Sequence, residues 1–170
     1  SSPADCDISV ARNYEKWQLV KDDYNGAESN NAVDIAAKPD GKLYILENDR
    51  EIWESANNGQ SWSKIHNDYS GESQSPQFML AAPNSNLYII EGDEDVWKSS
   101  NSGLLWSKTA SDFNGGNGGV LGFAVNSSNA LYAVDNKADV WVSTDNGTSW
   151  SVVNSDYDGS NSNSGSDDMV

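Results

Sequence analysis

One short motif, present four times, carries the clearest candidate chemistry of the chain. Asp23-Tyr24-Asn25-Gly26 returns as Asp68-Tyr69-Ser70-Gly71, Asp112-Phe113-Asn114-Gly115 and Asp156-Tyr157-Asp158-Gly159. An aromatic ring beside Asp and Asn can hold a sugar: the ring stacks on CH groups and the polar side chains bond hydroxyls. Asp23, Tyr24, Asp68, Tyr69, Asp112 and Phe113 are therefore the candidate ligand-binding residues, and repetition would turn weak sites into avidity. The same residue types also suit a turn with no ligand. Asp starts it, the ring plugs a gap and Gly takes the strained angle. Of the two, packing is the reading the residue types favour.

A second group is Glu91, Asp93, Glu94 and Asp95, whose oxygens could ligate calcium. No Asp-x-Asp-x-Asp-Gly loop accompanies them, and a solvated acidic rim is the alternative. Calcium is thus the one cofactor the sequence admits, and it requires none. His66 is the only histidine, and its equivalents in the repeat are Lys21, Ala110 and Asn154. That variation, with only a turn aspartate beside it, argues against Ser-His-Asp catalysis. No Cys and His cluster exists for zinc.

These residues sit in a repeat that runs through nearly the whole chain. Trp17, Trp62, Trp106 and Trp150 are spaced 45, 44 and 44, and Gly59, Gly103 and Gly147 are spaced 44 and 44. Each unit reads as four short strands. AVDIAA, FMLAA and VLGFAV come first; LYIL, LYII and LYAV second; EIW, DVW and DVW third; WSKI, WSKT and WSVV fourth. Runs of four to six residues bounded by Gly, Asn and Asp are strand and hairpin signals. Helical periodicity is not sustained anywhere. Four strands in about 44 residues is the length of a β-propeller blade, ~40–50 residues. The expectation is an all-β chain of four-stranded antiparallel blades, about three complete, with a partial terminal blade.

Between the third and fourth strands lie Ser55–Trp62, Ser99–Trp106 and Ser143–Trp150. The last, STDNGTSW, resembles the Asp-box or BNR repeat of sialidase-like propellers. The resemblance implies a hairpin at this place in each blade, with Asp145 folding back on the turn and Trp150 packing into the blade. Ser55, Asn57, Gly59, Trp62, Ser99, Asn101, Gly103, Trp106, Ser143, Asp145, Gly147 and Trp150 are its structural residues. Asn57 and Asn101 replace the Asp, and Leu105 the usual Ser or Thr. Sialidase activity needs three arginines to clamp a carboxylate, and this chain has only Arg12 and Arg50. The family also includes xyloglucan-cleaving hydrolases with paired Asp residues, but no blade here carries a large insertion.

The expected division is a partial blade over 1–23, contributing third and fourth strands; three blades over 24–156; and the start of a further blade, or a flexible tail, over 157–170. Propellers usually have four to eight blades. The chain is therefore a fragment of a longer propeller, a subunit completed by other copies of itself, or a unit of an open-ended assembly. Strand order puts the second-to-third turns and the blade-to-blade connectors on one side. ENDRE, EGDED and DNKAD join DDYNGAE, NDYSGE and SDFNGG there, making an acidic face. In propellers of this kind that face usually holds the site.

Composition bounds the partners. With 26 Asp and Glu against 10 Lys and Arg, the net charge is −16. Such a chain suits neither nucleic acid nor anionic lipid, and no apolar run reaches the ~18 residues of a membrane span. Cys6 is the only cysteine, so no internal disulfide forms. Two glycosylation sequons occur, at Asn126 and Asn146. The expected protein is secreted or at the cell surface, binding carbohydrate or an extracellular protein without catalysis. The alternatives are a structural subunit joined through open blade edges and a piece of a glycoside hydrolase.

Overall fold

The computed structural model describes residues 18–26, 31–116 and 118–159. They form twelve strands in three sheets. Sheet 1 contains β1 (Ala32–Ala37), β2 (Leu43–Glu47), β3 (Ile52–Ser55) and β4 (Ser63–His66). Sheet 2 contains β5 (Pro76–Ala81), β6 (Leu87–Glu91), β7 (Val96–Ser99) and β8 (Ser107–Ala110). Sheet 3 contains β9 (Val120–Val125), β10 (Leu131–Asp135), β11 (Val140–Ser143) and β12 (Ser151–Asn154). Each sheet is an antiparallel meander in sequence order. β1 lies against β5 and β5 against β9, so the three first strands stand side by side and the sheets fan outward from them.

Strand boundaries fall within two residues of those read from the sequence. β5 begins at Pro76, and a strand's first residue is a place where a missing N–H costs no ladder bond. Residues 1–17, which hold most of the expected partial blade, lie outside the described residues, as do 160–170. The described stretch 18–26 contains no strand.

Side-chain alternation explains the packing between sheets. Tyr44, Leu46 and Ile52 of sheet 1 cluster with Met79, Leu87, Ile89 and Trp97 of sheet 2. Ile90 and Val96 of sheet 2 pack likewise with Ala133 of sheet 3. The fourth strand of each sheet carries a bulge. Ile52 pairs with His66 and Trp53 with Lys64, which leaves Ile65 as the extra residue. Thr109 and Val153 are its counterparts. The bulged side chain reaches the next sheet: Ile65 Cδ1 lies 2.9 Å from where a Cβ on Gly103 would stand, and Gly103 has φ +82°. The positive φ favours glycine there, and a Cβ would also force the tip of Ile65 to shift.

β12 is exposed along its length, unlike β4 and β8. No sheet follows it among the described residues. No helix among them is long and apolar enough to cross a membrane.

Candidate functional site

The acidic face exists as one hydrogen-bonded surface. Its turns and connectors are tied backbone to backbone: Tyr69 N to Arg50 O at 3.2 Å, Phe113 N to Glu94 O at 3.1 Å, and Tyr157 N to Ala138 O at 3.0 Å. Asp112 N and Asp156 N donate to Asp95 and Asp139 of the same turns. Arg50 Nε pairs with Asp68 at 3.0 Å, which holds the Asp68 carboxyl below its usual range against the opposing effect of burial. Asp23, Asp68, Asp112 and Asp158 stay exposed on this side.

From the segment preceding each of the three sheets an aromatic ring drops into that sheet, whereas Tyr157 after sheet 3 is exposed. Tyr69 stands between Trp97 and Trp106, with centroids at 5.9 and 5.5 Å, and is 4% exposed. Phe113 stands between Trp141 and Trp150 at 5.9 and 4.7 Å and is 8% exposed. Tyr24, half-buried, meets Trp53 and Trp62 at 6.0 Å each. Rings so enclosed as Tyr69 and Phe113 offer a sugar no free face. Their geometry is that of inter-sheet plugs, and edge contacts of this kind add about 0.5–1.5 kcal/mol each.

Beneath every ring lies a buried carboxylate that the sequence analysis did not single out as its partner. Glu47 accepts Tyr24 OH at 2.7 Å, Asn25 Nδ2 at 2.8 Å and Trp53 Nε1 at 3.0 Å. Glu91 accepts Tyr69 OH at 2.9 Å and Trp97 Nε1 at 2.7 Å. Asp135 accepts Trp141 Nε1 at 2.9 Å, but its ring partner is Phe113, which has no hydroxyl. The acid is one methylene shorter there, and its other oxygen takes the backbone N–H groups of Lys137 and Asp139. Tyrosine thus goes with glutamate, and phenylalanine with aspartate. The readable signal was an acid six residues before the third-strand Trp in all three units.

Of the candidate metal ligands Glu91, Asp93, Glu94 and Asp95, the fold brings Glu91 and Asp95 together, beside Glu72. Glu91 faces the aromatic plug, and burial raises its pKa despite the Trp97 and Tyr69 bonds. Glu94 stands in the turn at φ +64°, its pKa raised by burial and by Asp112. Burial and Asp95 also raise Asp93. Asp95 binds Lys108, whose ammonium also reaches Glu72. Carboxylate oxygens of Glu72, Glu91 and Asp95 lie within 4.8 Å of one another, as do those of Glu47, Asp49 and Glu51. A lysine supplies the cation at each. Lys108 Nζ lies 5.2 Å over Trp97, and Lys64 pairs with Glu51 while lying 5.1 Å over Trp53. Lys108 is desolvated, yet Asp95 and Glu72 raise its pKa far above the ordinary value. Burial raises Glu51, and donors from Tyr24, Asn25 and Trp53 outweigh burial to lower Glu47.

The hairpins on the opposite side share one bond pattern. Ser55 Oγ donates to Asn57 Oδ1 and accepts from Gly59 N; Asn57 Oδ1 accepts from Ser61 N; Trp62 Nε1 donates to Gly59 O. Ser99, Asn101, Gly103 and Trp106 repeat it, as do Ser143, Asp145, Gly147 and Trp150. Asparagine serves as well as aspartate because the needed group is one acceptor oxygen. Asp145 also takes Ser149 Oγ at 2.5 Å, and that bond leads in lowering its pKa to about 2. His66 accepts Asp68 N through Nδ1 at 3.3 Å, a turn contact.

The family model described as Sortilin, neurotensin receptor 3 (Sortilin-Vps10) matches residues 50–168. No curated protein matches the sequence. Among solved structures, YCF48 bound to D1 peptide is 16% identical with a TM-score of 0.58, the match covering 71% of this chain and 39% of that one. A GH74 enzyme of Niastella koreensis is 21% identical over 72% of this chain and 22% of its own, with a TM-score of 0.54. Virginiamycin B lyase from Staphylococcus aureus is 10% identical over 79% and 45%, with a TM-score of 0.61. At such identities the likeness is one of fold, a β-propeller. The chain spans less than half the length of each of these three proteins.

Proposed function

The chain belongs to the Sortilin-Vps10 family of β-propellers, and from that premise we propose that it is a non-catalytic extracellular binding module. Its hairpins are read as Asp-boxes, on the strength of the bond pattern repeated at Ser55, Ser99 and Ser143. They are scaffold, and the acidic face is the binding surface. The observation that carries this reading is the row of exposed carboxylates at Asp23, Asp68 and Asp112, presented at one register by successive connectors, with Asp158 exposed two residues beyond the partly covered Asp156 of the fourth repeat.

Of carbohydrate and polypeptide, the polypeptide is favoured as ligand. The rings best placed to stack on a sugar are enclosed at Tyr69 and Phe113. A row of like charges suits a basic, extended segment through complementary potential. The matching family is described as a receptor, neurotensin receptor 3, and one structural neighbour holds a peptide. Biosensor binding to immobilised basic peptides, beside a glycan array, tests this. Peptide binding that weakens with salt and is lost in Asp68→Lys/Asp112→Lys is expected. Glycan binding that survives both changes would overturn it.

A further inference from the structure

The hairpin of the middle sheet departs from its two counterparts at the positions that make theirs self-contained. In sheet 1 the third strand carries Glu54, which Lys42 and the Tyr44 hydroxyl hold at 3.0 and 2.7 Å. In the adjoining turn Asn57 Nδ2 donates to Ser61 Oγ at 2.8 Å. Sheet 3 has Val142 at the first position, and in its turn Asp145 takes the Ser149 hydroxyl. Sheet 2 has Lys98 and Leu105 at these places. The two exchanges leave two donors open.

Lys98 is half-buried and has no hydrogen-bond or ion-pair partner among the described residues. Lys21, Lys38, Lys42, Arg50, Lys64 and Lys108 each pair with a carboxylate. In a chain with 26 acidic residues against 10 basic ones, carboxylates are the abundant partner, and none reaches Lys98. Asn101 is oriented by its turn: Oδ1 accepts Ser99 Oγ at 3.0 Å and Leu105 N at 2.9 Å. Nδ2 is therefore the remaining group. With leucine in place of serine it has no acceptor among the described residues.

Both residues line one hollow of about 210 Å³, together with Ser100, Leu105, Trp106 and Ser107. Leu105 is 72% exposed. The Trp106 ring is held by Tyr69 at 5.5 Å and by its Nε1 bond to Gly103 O at 2.9 Å. Sheets 1 and 3 flank the middle sheet, and the hollow lies within its one hairpin, so the site is complete in the described residues. Its charged group and its amide are donors, and leucine and tryptophan give it an apolar wall. A matching ligand carries an anionic acceptor at one end and hydrocarbon at the other. At a water's share of ~30 Å³, the hollow takes roughly seven non-hydrogen atoms.

We propose that this hollow binds a carboxylate borne on a short apolar chain. Lys98 and Asn101 Nδ2 bond its oxygens, and Leu105 and Trp106 cover the hydrocarbon. A free aliphatic acid offers that chemistry, as does a glutamate beside an apolar residue in a polypeptide. The site lies on the hairpin side and takes the opposite charge, so it does not rest on the reading of the acidic face.

Nuclear magnetic resonance titration of the whole chain tests this, with sodium valerate and the blocked dipeptide acetyl-Glu-Leu-amide as probes. Saturable shifts of the Asn101 side-chain amide, the Leu105 methyls and the Trp106 indole N–H are expected, with about millimolar affinity. The Trp62 and Trp150 indoles of the other hairpins should stay unmoved. Neutral valeramide should bind about tenfold more weakly, and Lys98→Met should weaken valerate by a similar factor. Leu105→Ser, which restores the Asn57–Ser61 arrangement, should also weaken it. Neither substitution touches the core, so both variants should keep the wild-type melting temperature. Asp68→Lys/Asp112→Lys should not weaken valerate, which separates this site from the acidic face. The tighter of the two probes names the source of the carboxylate. No response at tens of millimolar probe, equal shifts in all three hairpins, equal binding of valeramide, or indifference to Lys98→Met would overturn the proposal.

Discussion

Tyr69 belongs to two sheets at once: its backbone N–H is held by Arg50 O of sheet 1, and its hydroxyl by Glu91 of sheet 2 at 2.9 Å. This one residue therefore ties two neighbouring blades together. The carboxylate it reaches is wholly buried, so the bond is one the fold depends on more than its net energy suggests.

Tyr69→Phe keeps the ring and removes the donor. Glu91 keeps the Trp97 bond at 2.7 Å, and the expected loss in urea unfolding is about 1–3 kcal/mol. The third blade shows the compensating partner, since Phe113 goes with Asp135. Tyr69→Phe/Glu91→Asp should recover part of that loss. A double-mutant cycle should give a favourable coupling above ~0.5 kcal/mol; additivity would mean that the Tyr–Glu pairing is incidental.

Lys108 stands where the acidic turns of sheet 2 would otherwise gather a cation, bonded to Glu72 and Asp95. Calcium at millimolar concentration should leave the melting temperature of the wild type unchanged. Lys108→Met should destabilise, by less than the ~3–5 kcal/mol of a fully buried pair because the lysine is partly exposed. It should also make the melting temperature rise with calcium. A wild-type melting temperature that climbs with calcium would mean the lysine yields its place.

The strands were readable because Trp, Gly and Leu-Tyr columns mark the same positions in every unit, so one alignment places all turns. The dual nature of Tyr69 was not. Sequence alignment gives a column, but whether an aromatic column faces solvent or a neighbouring sheet is decided by tertiary packing. Nor does composition reveal that Lys64 and Lys108 sit inside the acidic turns, because their strand lies a hairpin away. The Glu47, Glu91 and Asp135 column was visible as acid, and only the fold shows that its function is to bond tryptophan. The division at residues 23 and 156 stays an expectation, since most of the terminal segments lie outside the described residues.

Gly103→Ala introduces a Cβ 2.9 Å from Ile65 Cδ1 at φ +82°, whereas the same change at Gly159 meets nothing within 4 Å at φ +65°. Both variants bear the backbone strain of a left-handed residue, about 1 kcal/mol or more. Only Gly103→Ala also forces the Ile65 side chain, at the contact between sheets 1 and 2, to shift. Thermal denaturation should rank Gly103→Ala clearly below Gly159→Ala, and Ile65→Val should restore part of the gap. Equal losses would place the cost in the backbone alone.

Acid should first stabilise this protein and then destabilise it. Glu51, Glu91, Asp93 and Glu94 have raised folded pKa values, burial leading in each. The folded state then binds protons more readily than the unfolded chain, so stability grows as pH falls from neutrality towards the unfolded values of 4.5 and 3.8. Asp145 has the opposite sign. Its pKa is lowered from 3.8 to about 2, so its contribution is complete above 3.8 and is lost as pH falls through about 2. Melting temperature against pH should peak on the acid side of neutrality and drop below it. Asp145→Asn should flatten that lower limb while leaving the hairpin intact, because Asn57 and Asn101 already hold equivalent turns. A lower limb unaltered by Asp145→Asn would assign the acid loss to Asp40, Glu47 and Asp68, the other carboxylates with lowered values.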